Sequence, residues 1–155
     1  MIAVAQRVAS ARVTVADEVT GEIGPGMLIL LGVARGDEPS DASYLARKMA
    51  ALRIFPDENG RMNRSIGEVG GAILAVSQFT LLADCAKGNR PSFDQAAPAE
   101  DARRLYEYFV EQVRAAGIPV QTGRFQAEMK VELVNQGPIT LIVESPNHKK
   151  DRKDI

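Results

Sequence analysis

MLILLGVA, residues 27–34, is a continuous run of apolar residues. Such a run, bounded by turn residues, is typical of a short strand that is buried on both faces. Gly24-Pro25-Gly26 comes just before it, and no Gly-Lys-Ser/Thr follows, so these glycines predict a turn and not a phosphate-binding loop. The stretch therefore predicts the central strand of a sheet.

Further strands are predicted on both sides of this run. Residues 2–16 are rich in valine and alternate in places, which indicates one long strand or two consecutive ones. EVTGEI (18–23) predicts a strand that ends at the turn. RIFPDENGRMN (53–63) predicts a hairpin turning near Asn59-Gly60. GAILAVSQF (71–79) predicts another buried strand, and ELVNQGPITL (132–141) predicts two strands broken by residues 135–138.

Two amphipathic helices are predicted. The first has Ser40 as its N-cap, and the second begins near Pro98 and is ended by Gly117 and Pro119. Their apolar faces would be formed by Ala42, Leu45, Ala46, Met49 and Leu52, and by Ala102, Leu105, Phe109, Val113 and Ala116. The pattern predicts a single α+β domain with a largely antiparallel or mixed sheet. The apolar runs exceed what two helices can cover, so we expect a homodimer to complete the sheets.

Composition narrows the class of protein. A chain of 155 residues fits one domain, and a net charge of −1 argues against strong sequence-independent binding to a nucleic-acid duplex. The single cysteine, Cys85, excludes an intrachain disulfide and favours a reducing compartment, so a cytoplasmic location is expected. No signal peptide or membrane span is predicted. We expect the domain to occupy residues 1–145, followed by a polar, disordered tail at 146–155.

Conventional catalytic groups are scarce. The single histidine, His148, falls in the tail, which leaves no base for a Ser-His or Cys-His device and no usual zinc set, so neither metal nor cofactor is predicted. Polar residues do interrupt the apolar run at 77–82. In an extended strand Ser77 and Phe79 would share one face, and Gln78 and Thr80 the other. These polar groups either bond to neighbouring backbone or line a pocket.

SQFTL (77–81) and NQGPIT (135–140) together carry a resemblance to a known family. The chain resembles the D-aminoacyl-tRNA deacylases, also called D-tyrosyl-tRNA deacylases, over roughly residues 1–145. Supporting stretches are IAVAQRVASARVTV, GEIGPGMLILLGV, RIFPDENGRMN, KGNRPSF and TGRFQAEMKVELVNQGPIT. The chain departs from the family pattern at Gln136, where an acid is frequent, and at Lys130, where glutamine is expected.

The resemblance implies a homodimer with active sites at the subunit interface. Ser77, Gln78, Phe79 and Thr80 would line the pocket as catalytic residues. The Gly137–Pro138 peptide bond would be cis and would enter the partner's pocket. Further substrate-binding residues would be Phe125 and Met129 in the pocket wall, Arg7 holding the Gly-Pro segment, and Asn135 beside it.

The implied substrate is the 3′ end of a tRNA that carries a D-amino acid, or glycine mischarged on tRNA-Ala. The carbonyls of Gly137 and Pro138 would form a chirality gate, in which an L side chain collides with the carbonyl wall and a D side chain faces open space. Lys87 and Arg90, in the loop after Thr80, either contact the terminal phosphates or are solvated loop charges.

Two hypotheses concern the nucleophile. Thr80 could attack the ester, or the terminal ribose 2′-OH or a water could attack while backbone N–H groups near Phe79 and Thr80 hold the oxyanion. The missing base favours the second, because an unactivated threonine hydroxyl is a poor nucleophile. A different class also stays open, a dimeric small-metabolite binding module with no hydrolytic activity.

Overall fold

The computed structural model describes residues 1–151. Its mixed sheet has the strand order β2-β1-β3-β6-β7, with β8 paired to β1 outside this path, and a separate hairpin is formed by β4 and β5. The strands are β1 (Ile2–Val15), β2 (Glu18–Ile23), β3 (Gly26–Gly32), β4 (Phe55–Pro56), β5 (Met62–Arg64), β6 (Ala72–Ser77), β7 (Val120–Thr122) and β8 (Lys130–Glu144). The prediction of an α+β domain with a mixed sheet is confirmed.

The apolar run that predicted a central strand forms β3. It pairs with β1 on one side, antiparallel, and with β6 on the other, parallel. Its residues from Met27 to Ile29 are almost completely buried, as expected of a strand covered on both faces. Residues 2–15 form the single long strand β1, which is one of the two forms the sequence allowed.

Helices α1 (Pro39–Ala51) and α2 (Ala99–Ala115) pack on the sheet and on each other. Their apolar faces join β1, β3 and β6 in the main core, where Phe109 and Leu45 are fully buried. The N-cap of α1 is Glu38, so the prediction of Ser40 was wrong. The Glu38 N–H donates to Asp41 Oδ2 at 2.9 Å, and Pro39 supplies a favourable first helical residue.

Two further predictions differ from the structure. The polar tail begins with a third helix, α3 (Pro146–Asp151), where disorder was predicted, and Asn147 in its first turn donates to Asp41 of α1 at 3.2 Å. Residues 152–155 of the predicted tail lie outside the described part of the chain. The segment 132–141 belongs to one strand, β8, and not to two, although the pairing of β8 with β1 is irregular there.

Candidate active site

A loop protrudes from β8 where its register with β1 shifts. Val8 of β1 is opposite Asn135 and Gln6 is opposite Thr140, so residues 136–139 bulge out of the ladder. Gln136, Gly137 and Pro138 are exposed. The residues of this segment, 136–139, are called the Gly-Pro loop below. The Gly137–Pro138 step therefore lies at the surface of the chain.

Side chains at the base fix the Gly-Pro loop. Arg7 of β1 donates from Nε to the Gln136 carbonyl at 3.1 Å and from Nη1 to the Ile54 carbonyl at 2.8 Å. Asn135 Oδ1 accepts the Ile139 N–H at 3.0 Å, and its amide nitrogen donates to Thr140 Oγ1 at 3.0 Å. Both ends of the loop are therefore tied by hydrogen bonds, which holds its tip in one position.

The Gly137–Pro138 peptide bond is cis, as predicted. Gly137 has φ +133°, a conformation that residues with a Cβ rarely adopt. A Cβ added there would lie 2.7 Å from Ile139 Cγ1 and 3.0 Å from the Ile139 nitrogen. Glycine is therefore required at this position by both backbone conformation and space.

The SQFTL motif (77–81) follows β6, but its residues after Gln78 are not extended. β6 ends at Ser77, Gln78 donates its N–H to the Leu31 carbonyl at 2.8 Å, and Phe79–Leu82 form a 3-10 turn. The prediction that residues 77–80 alternate across a strand was wrong, because β3, the neighbour of β6, also ends at Gly32. The turn leaves Phe79 and Thr80 exposed and gives their N–H groups no acceptor within the turn.

The Thr80 hydroxyl has an amide as its neighbour. Gln78 Nε2 donates to Thr80 Oγ1 at 2.9 Å. Neither atom of an amide is a general base near neutral pH. The contact can orient the hydroxyl, but it does not activate Thr80 as a nucleophile.

The Phe79 ring is 54% exposed and is supported from one side by Phe93, which sequence reasoning missed. The two ring centroids are 5.1 Å apart, and the planes meet at 72°, an edge-to-face contact. The stretch KGNRPSF contained the signal, since an aromatic residue following a turn-rich loop is available to pack on a neighbouring ring. Phe93 thus braces the residue that begins the 3-10 turn.

Phe125 and Met129 lie in the connection between β7 and β8. Gly123 donates its N–H to the Ala75 carbonyl at 3.3 Å, so this connection leaves the sheet at the end of β6 that carries Ser77. The Phe125 ring lies 6.1 Å from that of Tyr106, and the Arg103 guanidinium lies 4.9 Å from its centroid. These three residues line an open groove of about 610 Å³. Met129 packs against a second core cluster, which contains Val13.

Within one chain the two motifs are far apart. The Gly-Pro loop lies on β8, and β1 and β3 separate β8 from β6, which gives about 14 Å for three strand spacings. The two motifs are also displaced along the strand direction. The Gly-Pro loop lies beside Gln6 of β1. Ser77 pairs with Leu31, and Leu31 pairs with Ala3, three residues nearer the start of β1. The structure therefore brings Phe125 to the Ser77–Thr80 end of the sheet and leaves the Gly-Pro loop away from it.

Lys87 and Arg90 lie in an exposed loop after the 3-10 turn. An isolated antiparallel bridge between Asp84 and Ser92 closes this loop. The two cations therefore belong to a closed loop that follows the 3-10 turn in the chain and ends just before Phe93. Cys85 is an exposed free thiol in the same loop.

The ionisable groups with clearly shifted pKa values lie outside the Ser77–Thr80 segment. Tyr106 is the nearest, packed beneath β6, and its hydroxyl donates to the Ala75 carbonyl at 2.8 Å. Burial raises the pKa of Tyr106 to about 12, so it is neutral at physiological pH. Among residues 1–151 no group of three or more His, Cys, Asp or Glu side chains could hold a metal ion. No helix in that range is long and apolar enough to cross a membrane.

These features define a class of protein: an α+β domain that displays an amide, a hydroxyl and free backbone donors at one sheet end, and a rigid Gly-Pro loop elsewhere. The family model described as D-Tyr-tRNA(Tyr) deacylase matches residues 4–144. The chain belongs to that family.

A curated relative agrees with this assignment, and two solved structures share the fold. A curated "D-aminoacyl-tRNA deacylase" of Symbiobacterium thermophilum is 60% identical over 143 residues, which cover 92% of this chain and 95% of the relative. The solved structure of a "c-Myc DNA Unwinding Element Binding Protein" has a TM-score of 0.89 and 42% identity over 94% of this chain and 99% of its own. A "probable eukaryotic D-amino acid tRNA deacylase" shares the fold, with a TM-score of 0.78 and 18% identity over 92% and 98% of the two chains.

Proposed function

We propose that this protein hydrolyses the ester bond of D-aminoacyl-tRNA and releases the free D-amino acid and the tRNA. The observation that carries the proposal is the family match over residues 4–144, within which both SQFTL and NQGPIT are intact. Glycyl-tRNA mischarged on tRNA-Ala is a second proposed substrate. No cofactor is required, and a cytoplasmic location stays a prediction from the sequence.

The proposed site is shared between two subunits. The Gly-Pro loop of one subunit would insert beside the Ser77–Thr80 segment of the other, which accounts for the distance between these motifs within one chain. Phe125 and Met129 would form further wall of the pocket. An exposed loop that is clamped at both ends suits this role, because a wall that discriminates by steric exclusion must not yield.

Chiral selection would follow from the two carbonyls of Gly137 and Pro138. If they accept hydrogen bonds from the substrate α-ammonium or border its Cα, only two substituents of that carbon remain to be placed. In a D-residue the hydrogen faces the carbonyls and the side chain faces open space, whereas in an L-residue the side chain collides with them. Glycine has only hydrogens there and passes. The gate therefore needs no pocket shaped for one side chain.

The chemistry we propose uses no protein nucleophile. An aminoacyl ester is already activated, so positioning and oxyanion stabilisation can supply the catalysis. A water would attack the ester carbonyl, either directly or after the ribose 2′-OH has taken the acyl group from O3′. The N–H groups of Phe79 and Thr80 would receive the developing oxyanion, the amino acid would leave with its carboxylate, and the ribose oxygen would take up the proton. The amide partner of Thr80 supports this version over an acyl-enzyme, since Gln78 cannot take the hydroxyl proton.

The deciding experiment compares D-tyrosyl-tRNA with L-tyrosyl-tRNA and follows ester loss with time. Selective loss of the D-ester is the expected result. Equal stability of both esters would overturn the deacylase proposal and favour the alternative of a dimeric small-metabolite binding module, for which a pocket of Ser77, Gln78 and Thr80 beside Phe79 would also serve.

A further inference from the structure

Three side chains form a stack that runs from the core to the surface beside β7. Tyr106 of α2 is buried, the neighbouring Phe125 is half-buried, and Arg103 of α2 is exposed. The ring centroids of Tyr106 and Phe125 are 6.1 Å apart, and the Arg103 guanidinium carbon lies 4.9 Å from the Phe125 centroid. The outermost member of the stack is therefore a planar cation, exposed in the wall of the open groove beside Phe125.

Charges of both signs line this groove, at Arg103, Glu107, Glu111, Arg114 and Arg124. Arg114 donates to the Val120 carbonyl at 3.0 Å, and the Arg124 guanidinium lies 3.6 Å from the Glu18 carboxylate. Glu18 and the two glutamates of the groove together offset the charge of the arginines. The groove is therefore poorly suited to a phosphate, and better suited to a neutral planar group that stacks on Arg103.

A nucleobase with an exocyclic amino group has this chemistry. Bases of single-stranded RNA stack on guanidinium planes and aromatic rings. Glu107 follows Arg103 by four residues on α2, so the two side chains are neighbours on the helix surface. The Glu107 carboxylate can accept a hydrogen bond from the amino group of cytosine. Uracil has a carbonyl oxygen at that position and would face the carboxylate with a second acceptor.

The groove lies next to the proposed active site. Thr122 and Gly123 belong to its wall, and Thr122 pairs with Ala75 of β6. Ala75 precedes Ser77 by two residues, about 6.6 Å along the strand. An RNA end whose ester lies at Ser77–Thr80 can therefore place the preceding nucleotide at the groove.

We propose that this groove binds the penultimate base of the tRNA 3′ end, which is the second cytosine of the CCA terminus. Arg103 is the stacking platform, and Glu107 accepts the hydrogen bond from the cytosine amino group. The inference rests on the proposed deacylase function, because that function places the RNA end at Ser77–Thr80. The site gives the enzyme a contact with the RNA that does not involve the amino acid.

Binding of RNA minihelices that carry no amino acid measures this contact apart from hydrolysis. Two minihelices are compared, identical except that one ends in CCA and the other in CUA. We expect the parent to bind the CCA form about 10-fold more tightly, since one hydrogen bond to a charged group is lost with CUA. Arg103→Ala should weaken binding of the CCA form at least about fivefold, the lower end of what stacking contributes. Arg104→Ala is the matched control, because Arg104 lies 3.7 Å from Asp101 instead, and its Kd should stay within about twofold of the parent.

Glu107→Gln tests how the base is read. An amide can donate as well as accept, so this variant should bind the CCA and CUA forms with similar affinity. Glu100→Gln removes a carboxylate from the first turn of the same helix and should keep the preference of the parent. A parent without preference for CCA overturns the proposal, and so does an Arg103→Ala variant that binds as tightly as the parent.

Deacylation kinetics distinguish this proposal from the proposed function. The two substrates are D-tyrosyl-tRNA and the D-tyrosyl ester of adenosine, which lacks the penultimate nucleotide. Arg103→Ala should lower kcat/KM about fivefold more for the tRNA than for the adenosine ester. Equal losses on both substrates overturn the base site. A parent that hydrolyses neither ester would overturn the deacylase function, and the minihelix measurements would still decide the base site.

Discussion

Arg7 of β1 donates its Nε hydrogen bond to the backbone carbonyl of Gln136, 3.1 Å away, immediately before the Gly137–Pro138 step. The same guanidinium reaches the Ile54 carbonyl beside the β4–β5 hairpin. A planar group with several fixed donors can serve both carbonyls at once, which a lysine cannot do with the same geometry. The position of the Gly-Pro loop therefore depends on a side chain of the neighbouring strand as well as on Asn135 of β8.

Arg7→Ala should lower kcat/KM for D-tyrosyl-tRNA by about 10- to 100-fold, because hydrogen bonds from a charged group contribute about 1.5–3 kcal/mol. Arg7→Lys should recover only part of this loss. Single-turnover deacylation measures it. Arg12→Ala is the matched control, since Arg12 also lies on β1 but pairs with Glu132 at the surface. A loss of the same size in both variants would show that disturbing β1, and not the loop, causes the effect.

The sequence predicted those strands, turns and helix ends that depend on a local pattern of residues. Apolar runs identified β3 and β6, and Asn59-Gly60 located the hairpin. Pro98 and Gly117 marked the ends of α2. The 3-10 turn after Ser77 was missed because SQFTLL is compatible with a strand, and only the end of β3 beside it stops the pairing. The stack of Tyr106, Phe125 and Arg103 was missed too, since only the fold brings α2 and the β7–β8 connection together.

Substitutions in the 3-10 turn separate the two proposed nucleophiles. Thr80→Ala should keep deacylation within a few-fold of the parent if the ribose 2′-OH or a water attacks. Phe79→Pro should lower kcat by about 10²–10³-fold, because it removes a backbone N–H proposed as an oxyanion donor. Proline suits the first residue of a helical turn, so the fold should persist.

Phe79→Leu is the control, since it keeps the N–H and loses only the aromatic ring. A dead Thr80→Ala enzyme that folds normally would instead indicate an acyl-enzyme at Thr80. A substrate lacking the terminal 2′-OH tells the remaining candidates apart: cleavage at the normal rate indicates water, and its loss indicates the ribose hydroxyl.

Because of Asp41, the free energy of unfolding should decrease at acid pH. Burial by itself raises the pKa of Asp41. Hydrogen bonds from the Glu38 backbone, Ser145 and Asn147 lower it, and so does the nearby Met1 ammonium. These lowering effects outweigh burial, so the pKa of Asp41 lies below its usual value. A lowered folded-state pKa means that the stabilisation is complete above the unfolded-state value of about 3.9 and is lost as the pH falls through the folded-state value.

Asp41→Asn should therefore lower the Tm at pH 7 by about 2–4 °C, the cost of about 1 kcal/mol for a weakened helix cap. The difference from the parent should hold down to about pH 4 and shrink below it. Thermal unfolding from pH 7 to pH 3 measures this, with Glu111→Gln as an exposed control. A difference that widens in acid would mean that the pKa of Asp41 is raised in the folded state.

Lys87 and Arg90 should contribute to tRNA binding through phosphate. Lys87→Ala or Arg90→Ala should weaken binding and reduce the slope of log K against log salt by about 0.7–0.9 for each phosphate that the variant no longer neutralises. Arg47→Ala removes an exposed cation of α1 and serves as the control. Salt slopes equal to that of the parent for both loop variants would identify Lys87 and Arg90 as solvated charges.

The shared site predicts complementation between two inactive variants. Gly137→Ala should abolish D-specific turnover while keeping the fold, since an added Cβ meets Ile139 at 2.7 Å at a loop tip outside the core. Gly24→Ala, where a Cβ meets open space, is its control.

Phe79→Pro inactivates the other half of the proposed site. In a mixed dimer of the two, one site would carry both changes and the other would carry neither. Co-expression with two different tags and purification through both should therefore yield a mixed dimer with about half the parent's activity, although each variant alone is inactive. If each site were built within one chain, both sites of the mixed dimer would be altered and no activity would return. Sedimentation of the parent as a fully active monomer of 16.8 kDa would contradict the shared site directly.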